Sequence, residues 1–282
     1  MKVINLDPEF RPFGDSDYNI MSFTFPGGET QVRIPPYLEK AERFEISTRI
    51  HNSDDTMSLL LTVDAMARVG VDPKRISLTI PYLPYARQDR VCVSGESLSI
   101  KVFANLINSM GLGLVRVLDC HSDVGPAVIN NCINISNGLL SNWAYTQIGT
   151  HPIIVSPDSG SNKKIHGVCA YIGSDDMVSC DKVRDLKTGK ITGFKVFSED
   201  LEGRDCLIAD DICDGGGTFV GLASELKSKN AGNLYLCVTH GIFSSGFSKL
   251  SEWFSGYFAS DSFKPKYTCD ELRILQTLLK GA

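Results

Sequence analysis

The sequence predicts an α/β fold in which mostly parallel sheets are flanked by helices. Short β-branched apolar runs alternate with stretches of helical apolar spacing in both halves of the chain. This alternation is typical of parallel strands that are connected by helices. A length of 282 residues is long for one compact core, so we expect two similar domains, 1–140 and 141–282.

The first half contains two helix-and-strand repeats. Thr56–Val69 has helical apolar spacing, and the β-branched run Ile76–Ile80 follows it and ends at Pro81. A second apolar stripe over Leu98–Met110 predicts another helix, and Leu114–Leu118 predicts the next strand. The order of these elements favours a βαβ arrangement.

The second half repeats this pattern. Pro152–Val155 and Asp205–Ala209 predict strands, and apolar residues over Phe219–Leu226 predict a helix that ends near Gly232. Leu234–Val238 predicts the strand after it. A parallel sheet binds its ligands at the carboxyl ends of its strands. Because the predicted strands are followed by polar residues at those ends, the pattern favours an enzyme.

Composition and charge limit the kinds of partner that we expect. Hydrophobic residues make up 43% and charged residues 22% of the chain, as in an ordinary globular protein. The net charge of −5 leaves no basic stripe for nucleic acid, and no apolar run is long enough to cross a membrane. We see no secretory signal, and nine scattered cysteines favour a reducing, cytoplasmic setting.

The segment after the strand Asp205–Ala209 combines acids, glycines and the start of a helix. Adjacent carboxylates can accept hydrogen bonds from the neighbouring hydroxyls of a ribose. Glycines let backbone amides approach a phosphate, which a helix N-terminus attracts. An ordinary strand–loop–helix turn with surface acids is the structural alternative. The candidate ribose-phosphate residues are Asp210, Asp211, Asp214, Gly215, Gly216, Gly217 and Thr218.

Further candidates follow other predicted strands. Arg87 and Arg90 come after a rigid aromatic stretch, and guanidinium groups suit a polyphosphate. His121 and Asp158 could position a magnesium–nucleotide complex, because Mg²⁺ binds few carboxylates and keeps several waters. Surface arginines paired with Asp89, and a structural histidine, are the simpler alternatives.

A charged stretch over Cys180–Lys190 has the composition of a movable β-hairpin. Lys182 and Arg184 lie in it, and mobile cations can close over a phosphoryl transition state and neutralise its charge. A solvated hairpin with incidental charges is the alternative. We therefore regard both residues as candidates for transition-state stabilisation.

Five ordered motifs give the chain its resemblance to a known family. They are Pro81–Arg90, Asp119–Ser122, Val155–Asp158, Asp181–Arg184 and Asp210–Thr218. Together with Phe25–Glu29 and Thr239–Ser244, they extend the similarity over nearly the whole chain. The chain resembles the ribose-phosphate pyrophosphokinases, also called phosphoribosyl-pyrophosphate synthetases.

The resemblance implies two domains of the phosphoribosyltransferase fold, with an active site at their junction and at a subunit interface of a homo-oligomer. It also implies transfer of the β,γ-diphosphoryl group of ATP to the anomeric hydroxyl of ribose 5-phosphate, which releases AMP. Mg²⁺ is the expected cofactor, since metal ions bridge the phosphates in such transfers. This chemistry needs no covalent nucleophile.

The resemblance also implies roles for individual residues on the nucleotide side. Arg87, Gln88 and Asp89 would contact the nucleotide. Phe25 and Glu29 would reach adenine from a neighbouring subunit. These residues therefore form the expected ATP site.

The remaining implied roles concern metal, acceptor and transition state. His121 and Asp158 would serve the Mg²⁺–ATP site, and Lys182 and Arg184 would stabilise the transition state. The acids Asp210 and Asp211 would hold the sugar hydroxyls. The residues expected to hold the 5-phosphate are Asp214, Gly215, Gly216, Gly217 and Thr218.

Three positions depart from the family's usual pattern. Gly27 stands where an acid is usual in the adenine-contacting segment, and Val91–Glu96 replaces a basic tract. Gly215 stands where the phosphate loop usually has its first threonine. These departures resemble a branch of the family that is associated with nicotinamide and NAD salvage, some members of which diphosphorylate ADP-ribose. The resemblance implies a second hypothesis, in which ADP-ribose is the acceptor, Gly215 accommodates its second phosphate, and the product is ADP-ribose pyrophosphate for NAD synthesis.

Two other classes of protein share some of these features. A base-transferring phosphoribosyltransferase uses the same kind of acidic glycine loop, but it would not need the motifs around Arg87–Arg90 and Ser156–Asp158. A catalytically silent regulatory homologue would explain Gly27 and the lost basic tract. An enzyme is favoured instead, because the chain retains Lys182, Arg184, His121 and Asp158.

Overall fold

The computed structural model describes residues 1–38, 43–184 and 191–279, without the side chains of Arg184 and Ile191. The chain forms two compact units, Met1–Ile135 together with the residues from Gln276 onward, and Ser136–Leu275. Residues 185–190 of the predicted hairpin lie outside the described residues. The proposed functional domains, 1–140 and 141–282, stay a prediction.

The first unit is a parallel sheet with helices and a small hairpin. In chain order its elements are β1 (Lys2–Asn5), β2 (Met21–Thr24), β3 (Thr30–Arg33), β4 (Phe44–Ser47), α1 (Ser53–Arg68), β5 (Ile76–Thr79), α2 (Ser99–Ser109), β6 (Leu114–Leu118), α3 (Val124–Val128) and β7 (Cys132–Ile135). Among the described residues, the main sheet has the order β1-β4-β5-β6-β7, and each neighbouring pair is parallel. Strands β2 and β3 form a separate antiparallel pair.

Helix α1 begins three residues before the predicted position because its first turn is capped. The side chain of Asn52 accepts a hydrogen bond from the N–H of Asp55, and Asp55 accepts one from the N–H of Asn52. This reciprocal capping box satisfies N–H groups that the first turn leaves unpaired. On its inner side, α1 buries Leu59 and Met66 in the core of the first unit.

The second unit contains a larger, mostly parallel sheet. Its elements are α4 (Gly138–Ile148), β8 (Ile153–Ser156), α5 (Asn162–Ile172), β9 (Met177–Arg184), β10 (Ile191–Val196), β11 (Cys206–Cys213), α6 (Gly217–Ser228), β12 (Leu234–Gly241), β13 (Phe254–Ser260) and β14 (Leu272–Leu275). Within the described ranges the strand order is β10-β9-β8-β11-β12-β13-β14. Only the pair β9–β10 is antiparallel among these strands.

Helices cover both faces of the second sheet. Ile208 of β11 packs in one core cluster with Leu222 of α6, whereas Leu207 lies in another cluster with Leu140 of α4. Successive residues of a strand point to opposite faces, so β11 is buried on both sides. This arrangement confirms the predicted α/β class with parallel sheets flanked by helices.

Strand β11 continues beyond the predicted end at Ala209. It runs to Cys213 because Asp210 pairs in register with Val238 of β12, and Ile212 pairs with His240. The acidic pair therefore lies on a strand, where the sequence predicted a loop. No helix in the described part of the chain is long and apolar enough to cross a membrane.

Candidate active site

Asp210 and Asp211 form a partly buried acidic pair at the end of β11. Asp211 is only 5% exposed, and the N–H of Asp211 donates to Asp210 Oδ1 at 2.9 Å. Burial and the adjacent carboxylate of Asp211 raise the pKa of Asp210 well above its usual value, although the charge of Lys164 works in the opposite direction. A pair that holds a proton more readily can both donate to and accept from sugar hydroxyls.

The glycine loop, residues 214–218, connects β11 to α6. Gly216 has φ +79°, and a Cβ atom there would lie 3.1 Å from both methyl carbons of Leu250. Glycine is therefore required at this position for both backbone conformation and space. At Gly217, where α6 begins, an added Cβ atom would meet nothing within 4 Å.

The start of α6 is suited to an anion. Among the described residues, no side chain caps this helix, whose N-cap residue is Gly216. The first N–H groups of a helix lack intrahelical partners and carry a partial positive charge. Together with the hydroxyl of Thr218, they form a cradle of hydrogen-bond donors that a phosphate group can occupy.

A second loop, which we call the serine loop (residues 241–247), lies against the glycine loop. The N–H groups of Ile242 and Phe243 donate to the carbonyl of Cys213 at 2.9 and 3.1 Å. The N–H of Ser244 donates to the carbonyl of Asp214 at 3.1 Å, and its hydroxyl donates to Asp214 Oδ1 at 2.5 Å. These bonds fix the carboxylate of Asp214 beside the helix start.

Sequence reasoning did not assign roles to the two serines of this loop. Ser244 and Ser245 follow the strand that carries Thr239 and His240, so their position after a predicted strand could have identified them. Their approach to Asp214 depends on the parallel pairing of β11 with β12. That pairing brings together residues 30 positions apart.

Asp158 and Lys182, which were predicted for different roles, form an ion pair. Asp158 Oδ2 accepts a hydrogen bond from Lys182 Nζ. Asp158 Oδ1 accepts from the N–H and the hydroxyl of Ser161 at 3.0 and 2.9 Å. Burial alone would raise the pKa of Asp158, but its bonds with Lys182 and Ser161 hold it below the usual value.

This ion pair joins the loop after β8 to the last part of β9. The two strands are parallel neighbours, and Asp158 follows β8 by two residues. Arg184 is the last residue of β9, and its side chain lies outside the described part of the structure. The predicted metal role of Asp158 and transition-state roles of Lys182 and Arg184 stay predictions.

In the first unit, the two predicted nucleotide motifs meet. Hydrogen bonds from Arg90 (2.9 Å) and Ser122 lower the pKa of Asp89 against the effect of burial, and the charge of His121 adds to this. The segment containing Arg87, Gln88 and Asp89 therefore lies beside the loop that carries His121. The side chains of Arg87 and His121 are exposed, as contact with a nucleotide would require.

Two loops in the first unit and one in the second contain residues with left-handed backbone angles. Tyr85 (φ 65°) precedes the arginine motif, Asp119 (φ 40°) precedes His121, and Phe243 (φ 48°) precedes the two serines. Such angles are costly for residues other than glycine and cluster at functional sites. Asn131, His151, Glu202 and Asn230 in other turns have positive φ as well, so these angles do not distinguish the candidate loops from the other connections.

Phe25 and Glu29 lie in the turn between β2 and β3. The N–H of Phe25 donates to the carbonyl of Glu29 at 2.9 Å, and 48% of Phe25 is exposed. The carboxylate of Glu29 covers Gly27, since a Cβ atom there would lie 2.6 Å from Glu29 Oε2. The hairpin therefore presents an aromatic ring and a carboxylate together, and Gly27 leaves room for that carboxylate.

The fold and the glycine loop together define the class of this protein: it is an α/β protein with phosphoribosyltransferase-like domains.

Residues 16–111 match the sequence profile of the N-terminal domain of ribose phosphate pyrophosphokinase. The ribose-phosphate pyrophosphokinase of Vibrio cholerae is 31% identical over 230 residues, which cover 80% of this chain and 72% of the relative. The ribose-phosphate pyrophosphokinase of Shewanella oneidensis is 32% identical over 225 residues, which cover 78% of this chain and 70% of the relative. The chain belongs to the ribose-phosphate pyrophosphokinase family.

A solved structure agrees with this assignment at the level of the fold. The phosphoribosylpyrophosphate synthetase of Mycobacterium smegmatis matches 93% of this chain with a TM-score of 0.78. The match covers 87% of that protein at 22% sequence identity. The similarity confirms the predicted architecture of two phosphoribosyltransferase-like domains.

The glycine loop gives a matched pair of stability predictions. Gly216→Ala forces alanine into a left-handed conformation and against Leu250, so we expect a loss of about 1–2 kcal/mol or more. Gly217→Ala enters open space at a helix start and is expected to leave stability nearly unchanged. Thermal unfolding of both variants tests this contrast. Equal melting temperatures for the two variants would show that the strained conformation at Gly216 is not required.

Proposed function

We propose that this protein transfers the β,γ-diphosphoryl group of ATP to the anomeric hydroxyl of ribose 5-phosphate, which yields phosphoribosyl pyrophosphate and AMP. The observation that carries the proposal is the acidic pair followed by the glycine loop in a chain of this family. The anomeric oxygen attacks the β-phosphorus of ATP, and the bond from that phosphorus to the oxygen bridging the α-phosphate breaks. The hydroxyl proton is released, and AMP leaves.

The acceptor site lies in the second unit. We assign the ribose hydroxyls to Asp210 and Asp211, whose carboxylate oxygens can accept hydrogen bonds from them. The 5-phosphate binds at the start of α6, where no side chain of the described residues caps the helix and Thr218 offers a hydroxyl. Asp214, held by Ser244, borders this phosphate site.

The nucleotide site lies in the first unit. We assign the phosphates and ribose of ATP to Arg87, Gln88 and Asp89, because Arg87 and Gln88 are exposed and Arg87 is a forked cation. Adenine contacts Phe25 and Glu29 of a second copy of the chain, so the active enzyme is a homo-oligomer with shared sites. The exposed ring of Phe25 supports this assignment, since an exposed aromatic side chain can stack on a planar base.

The donor groups fit Mg²⁺ delivered with ATP. Asp158 is an ionised carboxylate, and Mg²⁺ prefers one or two carboxylates together with phosphate oxygens and waters. We assign the Mg²⁺–ATP complex to Asp158 and His121. When bound, the metal neutralises negative charge on the phosphates. Lys182 would have to release Asp158 Oδ2 for a metal to use that oxygen.

Lys182 and Arg184 stabilise the transition state in this proposal. Phosphoryl transfer requires positioned groups and charge neutralisation from the protein. Lys182 is held by Asp158, which follows β8, and β8 pairs in parallel with β11, the strand that carries the acidic pair. The positive charge of Lys182 therefore lies on the same sheet as the acceptor site. Arg184 lies two residues further along the same strand.

No observation favours the alternative acceptor or the alternative classes. The ADP-ribose hypothesis depends on open space at Gly215, but Ser245 Oγ lies 3.3 Å from the position of an added Cβ atom. The family relatives are named as enzymes, so the regulatory alternative has no support from them. We further propose a cytoplasmic location, because no disulfide joins the nine cysteines, all of which lie in the described part of the chain.

The direct test is product analysis with different acceptors. We expect purified protein with ATP and Mg²⁺ to form AMP and phosphoribosyl pyrophosphate in equal amounts when ribose 5-phosphate is added. Parallel reactions contain ADP-ribose or no acceptor. Turnover of ADP-ribose without turnover of ribose 5-phosphate would contradict the proposal. If no AMP is released with either acceptor, the protein is better explained as a regulatory homologue.

Lys182→Ala tests the proposed transition-state role. We expect kcat to fall about a hundredfold or more while ATP affinity stays nearly unchanged, because the ammonium group acts on charge that develops during transfer. Lys195→Ala is the matched control, since Lys195 is exposed on β10 and lies over the ring of Phe197. Steady-state kinetics and calorimetric ATP binding measure both effects. A fall in ATP affinity that matches the fall in kcat would identify Lys182 as a ground-state ligand.

A further inference from the structure

Gly215 is a glycine that its backbone conformation does not require. Its φ lies outside the left-handed region, unlike that of Gly216. A Cβ atom at Gly215 would lie 3.3 Å from Ser245 Oγ, which is closer than ordinary van der Waals contact. The absence of a side chain at Gly215 therefore makes room for the hydroxyl of Ser245.

The serine loop holds Ser245 in place from both sides. On one side, the N–H of Ser244 is bonded to the carbonyl of Asp214. On the other side, the N–H of Gly246 donates to the carbonyl of Phe243 at 2.9 Å. Phe243 is buried and packs against Gly241, where a Cβ atom would lie 2.4 Å from its ring. Ser245 is thus positioned by a rigid turn.

The two serines of this loop differ in what their hydroxyls do. The Ser244 hydroxyl is used by Asp214. The Ser245 side chain is exposed, and its hydroxyl makes no hydrogen bond to another residue within the described ranges. One hydroxyl therefore orients the glycine loop, and the other remains able to bind a ligand in front of it.

We propose that Ser245 is a specificity-determining residue of the acceptor site, which donates its hydroxyl to the terminal phosphate of ribose 5-phosphate from across the loop at Gly215. This inference rests on the proposed function. A phosphate at the start of α6 accepts hydrogen bonds from the first N–H groups of the helix on one side. Ser245 adds a donor from the neighbouring strand end, in the place where a side chain at position 215 would otherwise lie.

The proposal makes positions 215 and 245 compete for one space. A threonine at Gly215 would bring its own hydroxyl to the same region, but it would collide with Ser245. Only one of the two positions can therefore carry a hydroxyl side chain without strain. The chain carries it at Ser245.

The first experiment measures ribose 5-phosphate binding by calorimetry, together with its KM. We expect Ser245→Ala to weaken ribose 5-phosphate binding about tenfold, since a hydrogen bond to a charged partner is lost. The KM for ATP should not change. Ser248→Ala, an exposed serine of the same segment, is the matched control and should behave like the wild type. Wild-type affinity in Ser245→Ala would overturn the proposal.

A double-mutant cycle tests the shared space. Gly215→Thr alone should also weaken ribose 5-phosphate binding, by crowding Ser245. The double variant Gly215→Thr with Ser245→Ala should bind ribose 5-phosphate with an affinity within about threefold of that of the wild type. If the two substitutions acted independently, the affinity would instead fall roughly a hundredfold. Additive losses would overturn the shared-space argument, and melting temperatures check that each variant folds.

The binding measurement separates this inference from the proposed function. If the wild type binds ribose 5-phosphate but releases no AMP, the proposed reaction is wrong. The affinities of the wild type and of Ser245→Ala for ribose 5-phosphate then still test the role of Ser245. If the wild type forms AMP and Ser245→Ala binds ribose 5-phosphate normally, only the inference fails. If the wild type does not bind ribose 5-phosphate, both fail.

Discussion

The parallel pairing of β11 with β8 on one side and β12 on the other is the constraint on which the acceptor site depends. It places the carboxyl ends of three strands side by side. Asp158 follows β8, the acidic pair lies on β11, and the serine loop follows β12. A shift of register in either pairing would separate these groups, because the strand pairing sets which of them are neighbours.

Several carboxylates at one edge of a sheet repel one another, and the structure compensates each of them differently. Asp158 is neutralised by Lys182, and Asp214 is held by Ser244. Asp210 has a raised pKa, so it can share a proton with its neighbour. The glycine loop contributes unpaired N–H groups instead of a side-chain cation. An acceptor with hydroxyls on one side and a phosphate on the other matches this distribution of charge.

Local pattern was sufficient to predict the fold class and several elements, including Leu114–Leu118, whose bounds agree with β6. Two element boundaries differ from the prediction because polar residues continue the element. A capping box starts α1 at Ser53, and pairing with β12 extends β11 through Asp210. The ion pair of Asp158 with Lys182 could not be predicted, because it depends on which strands become neighbours. The serines of the serine loop follow a predicted strand, but their contact with Asp214 is set by the register of that strand and could not be predicted locally.

Hydrogen exchange at the glycine loop tests the central claim most directly. If the start of α6 holds the phosphate of the acceptor, ribose 5-phosphate should slow amide exchange over residues 215–218, since those N–H groups become hydrogen-bonded. Ribose without a phosphate serves as the control and should leave these amides unchanged. Unchanged exchange over 215–218 with saturating ribose 5-phosphate, or equal protection by ribose alone, would contradict the account.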